Sequence, residues 1–518
     1  MDEIIKQIHK SVDEGNFTKA LDIINQYMSL YENNAEFLKA EARLCLKAGE
    51  YKTAISILKK AETIAFNDGE VYYLLVQAYE QYQSRPDDYG DVIEINTDNA
   101  EPASYKDKLD VFSNRVAMQE IMRGATAPLV SIYFLAYNNL EKYTKPAIEA
   151  ILKYTTGIDY ELLLIDNGST DGTLEYFKSI PFAKKRIYHI SKNIGAVFGF
   201  KGAKAFSRGE FFRGKYLVTV PNDILVTKNW LSNLLRCAES DSRIGAVVPM
   251  SNYASNFQDV DLGFSDMNDM QIKAAAYNVS NPKKWEERLR LIPTVMLIRS
   301  ELYSMYECDY GFVYYFTDDD LSVVWRRWGY RLMVCGDTFV YHAGSVGHAP
   351  EQIREDLEKG REVYSKKYYG IDAWEDISRC SPGLVQYGLK DAVKRSRNYI
   401  LGIDNSCGAD LLAIKNELRK MGMFDSVLSA YTQDAKYWLD LKTICEGNVY
   451  CQPIDKIHEV LEGKEYDYIF LSKDVRVYAN YKALVDVLAQ HLTIDGRLIY
   501  RCTEEDGCVI GHIITQHA

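Results

Sequence analysis

The stretch YELLLIDNGSTDGTLEYF, Tyr160 to Phe177, decides the fold. Its first seven residues are a mainly apolar run ending on Asp166, the pattern of a strand covered on both faces. Asn167, Gly168, Ser169, Asp171 and Gly172 then turn the chain, and LEYFKSI follows with helical spacing, Asp171 standing near its start. The same grammar extends both ways. PLVSIYFLAYN (Pro128 to Asn138) reads as a buried strand and LEKYTKPAIEAILKYT as a helix, while KRIYHIS and KYLVTVPND (Lys215 to Asp223) read as further strands. Strands alternating with helices at this spacing build a mainly parallel sheet with helices on its faces. Ligands bind such sheets beyond the carboxyl ends of the strands, and here those ends carry Asn138, Asp166, Asn193 and Asp223.

At 518 residues the chain is too long for one core, and length alone suggests roughly three domains. With 47% hydrophobic and 26% charged residues it has the composition of a globular protein. A net charge of -12 argues against a general nucleic-acid binder. The opening MDEIIKQIHKSVDEGNF lacks the basic and apolar regions of a signal peptide, and no apolar run is long enough to suggest a membrane span. The 10 cysteines form no C-x-x-C pair, so neither zinc nor a disulfide framework is indicated. The expected setting is cytoplasmic.

Two flanking regions have their own patterns. EGNFTKALDII (Glu14 to Ile24) returns as GEYKTAISIL (Gly49 to Leu58), and Gly15/Gly49, Phe17/Tyr51 and Ala20/Ala54 share one offset of 34 residues. That period resembles the tetratricopeptide repeat, with a third partial unit at Asp68 to Tyr82. A polar, irregular stretch follows and reads as a linker with one short helix near Asp110 to Met122. Beyond SRCSPGLVQYGLKD the alternation resumes, with NYILGIDNSCGAD, LLAIKNELRKMG, YDYIFLS, YKALVDVLAQHL and TIDGRLIYRC, a second and smaller α/β region.

The middle region carries a resemblance. VSIYFLAYNN, LLLIDNGSTDGTLEYF, NIGAVFGFKGAKAFSRGEFFRGKYLVTVPND, TDDDLSVVWRRWGYRL and YHAGS match, in order, the blocks of family-2 glycosyltransferases of the GT-A fold. The resemblance implies a Rossmann-like domain that binds a nucleotide-diphosphate sugar, with a UDP-sugar favoured. It places Tyr137, Asn138, Asp166, Asn193, Gly195, Asn222 and Asp223 at the donor. A departing diphosphate calls for a divalent cation, Mn²⁺ or Mg²⁺, and Asp223 and His342 are the implied ligands, the imidazole tilting the preference to Mn²⁺. The acidic motif departs from the family pattern, with Pro221 and Asn222 ahead of Asp223.

Asp318, Asp319 and Asp320 stand in a row, and adjacent carboxylates repel. One reading makes Thr317, Asp318 or Asp320 a helix cap. The resemblance implies instead that Asp318 is the catalytic base of an inverting transfer, with Asp319 and Asp320 as alternates or as neighbours that raise its pKa. Function is the preferred reading.

The last region resembles class I methyltransferases, but Ser406 and Asp410 replace glycines of the cofactor loop and no clear acid ends the second strand near SVLSAYTQD. S-adenosylmethionine is therefore not expected, and a structural or acceptor-binding role is. The expected division is 1–85 tetratricopeptide-like helices, 86–126 linker, 127–375 GT-A domain, 376–397 linker and 398–518 methyltransferase-like α/β domain. The expected function is metal-dependent inverting glycosyl transfer to a large acceptor, a protein or a surface glycan, docked by the N-terminal repeats. A bacterial protein-glycosylating enzyme would suit that architecture. The rivals are a bifunctional glycosyltransferase/methyltransferase and a scaffold with an inactive transferase domain.

Overall fold

The computed structural model describes residues 1–65, 70–71, 74–75, 77–78, 92–95, 128–193, 195, 212–305, 312, 315–344, 350–503 and 509–516. The short helix expected at 110–122, and the expected linker 86–126 apart from 92–95, lie outside these residues, as does much of the third repeat unit. The chain divides into two compact units. One comprises Met1–Ile148, Thr156–Asn222 and Leu297–Cys308, the other Glu149–Thr155, Asp223–Met296 and Asp309–Ala518.

The first unit begins with helices α1 (Asp2–Asp13), α2 (Phe17–Tyr31), α3 (Ala35–Lys47) and α4 (Tyr51–Ile64). The 34-residue offset maps α1 onto α3 and α2 onto α4. Gly15 and Gly49 end the first helix of each pair with φ of 73° and 78°, a conformation glycine adopts without steric cost. Ala20 and Ala54 are fully buried, since small side chains let the helices approach. Asn16 and Asn34 cap α2 and α3 by accepting from Lys19 N and Phe37 N at 3.2 and 3.1 Å.

The same unit holds β1 (Val92–Ile95), β2 (Val130–Ala136), β3 (Tyr160–Asp166), β4 (Lys185–Ile190), β5 (Tyr216–Pro221) and most of β9 (Met296–Arg299), in the order β1-β4-β3-β2-β5-β9. The pairings from β1 to β5 are all parallel. Every residue of β3 is buried, as its apolar run demands. In this register Ala136 lies opposite Asp166, and Asp166 opposite His189, so the strand ends meet along one edge. After β2 a π-helical turn at Leu140–Thr144 leads into α5 (Lys145–Tyr154); α6 (Thr173–Ser179) follows β3.

The second unit contains β6 (Ile224–Leu225), β7 (Ile244–Ser251), β8 (Trp285–Glu287) and the long β10 (Arg331–His342), with β10 between β7 and β6. From Arg331 to Val340, with a register shift between Cys335 and Phe339, β10 pairs with β7 in parallel; Met333–Cys335 also pair with β8 antiparallel, and its last two residues pair with β6. Its helices include α7 (Thr317–Arg327), α8 (Pro350–Lys367), α9 (Pro382–Leu389), α10 (Ala409–Lys420), α11 (Trp438–Ile444) and α12 (Tyr481–Ala489).

Six further strands, β11 (Asn398–Ile403), β12 (Ser426–Thr432), β13 (Val449–Cys451), β14 (Tyr466–Asp474), β15 (Leu492–Thr503) and β16 (Val509–Thr515), take the order β13-β12-β11-β14-β15-β16. Within this sheet that is 3-2-1-4-5-6, the doubly wound order, with only the last pairing antiparallel. The three regions expected from sequence, helical repeats, a central α/β sheet and a C-terminal α/β sheet, are all present.

Within the second unit one apolar core runs from Phe316, Val323 and Tyr364 to Ile400, Leu411, Phe470 and Ile499. Residues 376–397, expected as a linker, include α9, whose Val385 and Leu389 are buried in this core. Two buried ionic clusters accompany it. Asp440 of α11 accepts from Arg326 and Arg327 of α7 at 3.0 and 2.8 Å. Glu287 of β8 meets Arg331 at 2.6 Å and Lys415 of α10 at 3.1 Å. Burial would raise the Glu287 carboxyl, but Lys415 and Arg331 bring it down to about 2.

Candidate active site

In the first unit, the loops after β2, β3 and β4 are sewn together by the residues expected at the donor. Asn138 takes a left-handed φ of 51°, its amide oxygen accepts from Thr170 N at 2.9 Å and its N–H donates to Ser169 Oγ at 2.9 Å. Gly168 is obligatory: a Cβ there would stand 2.5 Å from the backbone of Lys192 and Asn193. Asn193 Oδ1 accepts from Gly195 N at 2.8 Å and from Asn167 Nδ2 at 3.2 Å. Asn222 Nδ2 donates to Thr144 Oγ1 at 3.1 Å and to Asn138 O at 3.4 Å. Tyr137 is exposed.

Asp166 is fully buried, with one oxygen accepting from Ser169 N and the other 2.9 Å from His189 Nδ1. The partly exposed end of this cluster is therefore His189, which no motif had singled out. Its signal was positional: His189 sits one strand over from Asp166 in parallel register, and register is not written in either strand alone.

In the second unit, the short β6–β10 pairing places Asp223 against His342. His342 Nε2 lies 3.3 Å from Asp223 Oδ2, both side chains are about one-fifth exposed, and Ala343 N donates to Asp223 O. The other ring nitrogen, Nδ1, lies 2.8 Å from the carbonyl of Tyr253 and donates to it, since a carbonyl only accepts. In the neutral ring this leaves a lone pair on Nε2, facing the carboxylate. Asn252 holds the backbone of His342 from both sides, at 3.0 and 2.8 Å. Burial alone would lower the His342 pKa; the Asp223 carboxylate and the Tyr253 carbonyl outweigh it and raise it.

The acidic row occupies the first turn of α7. Its helix cap is Phe316, at φ 68°, with no side-chain cap hydrogen bond, and Thr317 Oγ1 is buried without a hydrogen-bond partner among the described residues. The capping reading of Thr317, Asp318 and Asp320 is thus corrected: none of them caps the helix, and Asp318 and Asp320 are drawn away by tertiary partners. Asp320 is fully buried against Lys367 at 2.5 Å and the Tyr368 hydroxyl. Asp319 is buried 2.9 Å from Arg290 Nε, and Asp318, 19% exposed, lies 3.4 Å from Arg290 Nη2. Burial and the Asp318 charge push the Asp319 carboxyl well above its usual range, against the pull of Arg290. Of the three, Asp318 keeps the accessible carboxylate. Arg290 was missed from sequence because RLRLIP, where it stands, has no motif.

Among the described residues no three His, Cys, Asp or Glu side chains gather as a metal cage. Asp223 and His342 are a carboxylate and an imidazole with a lone pair to spare, a fitting two-group donor set for a cation that completes its coordination with phosphate oxygens and water.

Residues 131–308 match the family described as Glycosyl transferase family 2, and residues 11–79 match the Tetratricopeptide repeat. The chain thus carries a family-2 glycosyltransferase domain behind tetratricopeptide-type helices; Asp318 and His342 lie beyond the matched range. An uncharacterized glycosyltransferase of Haemophilus influenzae is 32% identical over 120 residues, covering 23% of this chain and 36% of that protein. One of Methanocaldococcus jannaschii is 27% identical over 182 residues, covering 33% and 56%. The chain therefore spans between about a third and just over half of the length of these relatives. Among solved structures, a mannosyltransferase from Pyrobaculum calidifontis in complex with GDP-Man and Mn²⁺ aligns at 16% identity and a TM-score of 0.35, covering 61% of this chain and 76% of its own.

Proposed function

We propose that this chain is an inverting, divalent-cation-dependent glycosyltransferase that moves a sugar from a nucleoside diphosphate, a UDP-sugar first among the candidates, to a hydroxyl of a protein or glycan. The observation that carries the reading is the Asp223–His342 pair, with its Nε2 lone pair set by the Tyr253 carbonyl. Asp223 and His342 would hold Mn²⁺ or Mg²⁺, which supplies Lewis-acid stabilisation of the departing diphosphate. Tyr137, Asn138, Asp166, Asn193, Gly195 and Asn222 are assigned to the donor, with His189 as the partly exposed group beside Asp166. Asp318 takes the proton of the acceptor hydroxyl as that oxygen attacks the anomeric carbon, opposite the leaving diphosphate. Asp319 and Asp320 are each held by a cation, so they serve as neighbours of the base.

The test is nucleotide release from UDP-, GDP-, CMP- and dTDP-sugars with Mn²⁺, Mg²⁺ or EDTA. One donor should be turned over, EDTA and Asp223→Ala should abolish release, and Asp318→Asn should lower transfer by roughly 10²–10⁴-fold with donor affinity kept. Release that survives EDTA and Asp223→Ala would overturn the cation's role. Pro221, where the acidic motif has its first carboxylate, favours a second reading as a non-catalytic scaffold. That reading would lead if no donor were turned over and no nucleotide raised Tm.

A further inference from the structure

Asn256 and Phe257 adopt consecutive left-handed conformations, φ 61° and 54°. Such backbone is costly for a bulky aromatic and persists only where the surroundings hold it. Here they do. Asn256 Nδ2 donates to Arg290 O at 2.8 Å, and the fully buried Gln258 exchanges two hydrogen bonds with the backbone of Ile292, at 2.8 and 3.0 Å. The result is a Phe257 ring left 53% exposed, with the Arg288 guanidinium 5.8 Å from its centroid. A large apolar ring is held out into solvent and tied to the residue that pairs with Asp318.

Two cavities share Phe257 as a wall. One, of about 240 Å³, reaches Arg290 and has Gln386, Pro382 and Leu412 from the C-terminal region on its opposite side. The other, of about 510 Å³ and within the usual size of ligand pockets, continues past Glu286 and Lys420 to Tyr277, Lys283 and Lys284. Glu286 and Glu417 neutralise Lys420, at 2.9 and 3.4 Å. Lys283 and Lys284 form no ion pair among the described residues. On a chain of net charge -12, this is a groove with an aromatic step in its middle and uncompensated positive charge at its far end.

We propose that this groove is the acceptor subsite and that it takes an anionic saccharide. One sugar ring lies on Phe257, a phosphate or carboxylate further along the glycan meets Lys283 and Lys284, and the accepting hydroxyl points toward Arg290 and Asp318. Aromatic faces suit the apolar face of a sugar ring, and ammonium groups suit an anion through charge-assisted hydrogen bonds. The C-terminal α/β region thereby gains a function that needs no cofactor: it walls the acceptor groove. The acceptor role rests on the transferase reading above, whereas the binding itself does not.

Binding is measured on the full chain without donor, by ligand-observed NMR titration, with trigalacturonic acid as anionic probe, maltotriose as neutral probe and hexa-aspartate as acidic peptide. Trigalacturonic acid should bind at least about tenfold tighter than maltotriose. Phe257→Asn, which removes the ring yet tolerates the left-handed backbone, should weaken both sugars about tenfold at unchanged Tm. Lys283→Ala with Lys284→Ala should reduce the anionic probe to the level of the neutral one. Failure of both saccharides to bind, indifference to these variants, or hexa-aspartate binding as tightly as trigalacturonic acid would overturn the proposal. Nucleotide release and nucleotide-induced Tm shifts on the same preparation separate the two claims: absence of both with saccharide binding intact sinks the transferase reading alone.

Discussion

Asp318, Asp319 and Asp320 are chemically identical and adjacent, yet each meets a different fate. Asp320 is sealed against Lys367 and Tyr368, Asp319 is buried on Arg290, and only Asp318 keeps an open carboxylate. Geometry, not residue type, separates the three carboxylates, and it is the open one that is proposed as the base. Asp319 also makes a testable statement about pH. Its pKa is raised by burial first and by Asp318 second, with Arg290 opposing; Asp320 adds to the rise and Tyr364 faces it too. A carboxyl raised on folding contributes its full stability below the unfolded pKa of about 3.9, and that stability is lost as pH rises through the folded value. Asp319→Asn cannot ionise and escapes the loss. The Tm difference in its favour should widen from about pH 4 to about pH 8. A constant or shrinking difference would mean that Arg290 keeps Asp319 ionised at no cost.

At the scale of elements, α7 is gripped at both ends. Its first turn is held by Arg290, Lys367 and Tyr368, and its last by Asp440 of α11. Arg326 also donates to Leu289 O at 2.9 Å, so the C-terminal α/β region and the segment bearing Arg290 are fixed to the same helix. Asp440 is fully buried between two guanidinium groups. Removing one partner of a buried ionic cluster leaves desolvated charge behind, which costs about 3–5 kcal/mol. Asp440→Ala should lower stability by that order, read as a shifted urea midpoint at constant m-value. A loss below about 1 kcal/mol would show that water replaces the carboxylate. The β6–β10 pairing acts with equal economy: two residues of strand bring Asp223 to His342 across more than a hundred positions of chain.

For the molecule as a whole, helices α1 to α4 pack around apolar cores made from their own residues and the short helical stretch that follows. None of the residues proposed above for the donor, the cation or the base lies on them, and the use proposed for them is recognition of a large acceptor. Deleting residues 1–85 should leave nucleotide release from donor unchanged and lower transfer to the large acceptor by roughly tenfold or more, the effective-concentration gain that a tethered docking module provides. Equal transfer by the shortened chain would remove the docking role.

Much of this was legible from residues in order, because it depends on local periodicity and on turn chemistry. The 34-residue offset, the apolar run ending at Asp166 and the glycine turn at Gly168 are one-dimensional signals, and the elements form where they predict; the strand read from Lys215 to Asp223 forms too but ends at Pro221, and the strand that carries His342 had no such signal. What depended on the third dimension was invisible: His189 beside Asp166, Arg290 beneath the acidic row, Asp440 between two arginines, and Phe257 held out over a groove. Each of these is a meeting of side chains from distant segments. Strand register, helix packing and the need to pair every buried charge set such meetings, and no single stretch of sequence encodes them.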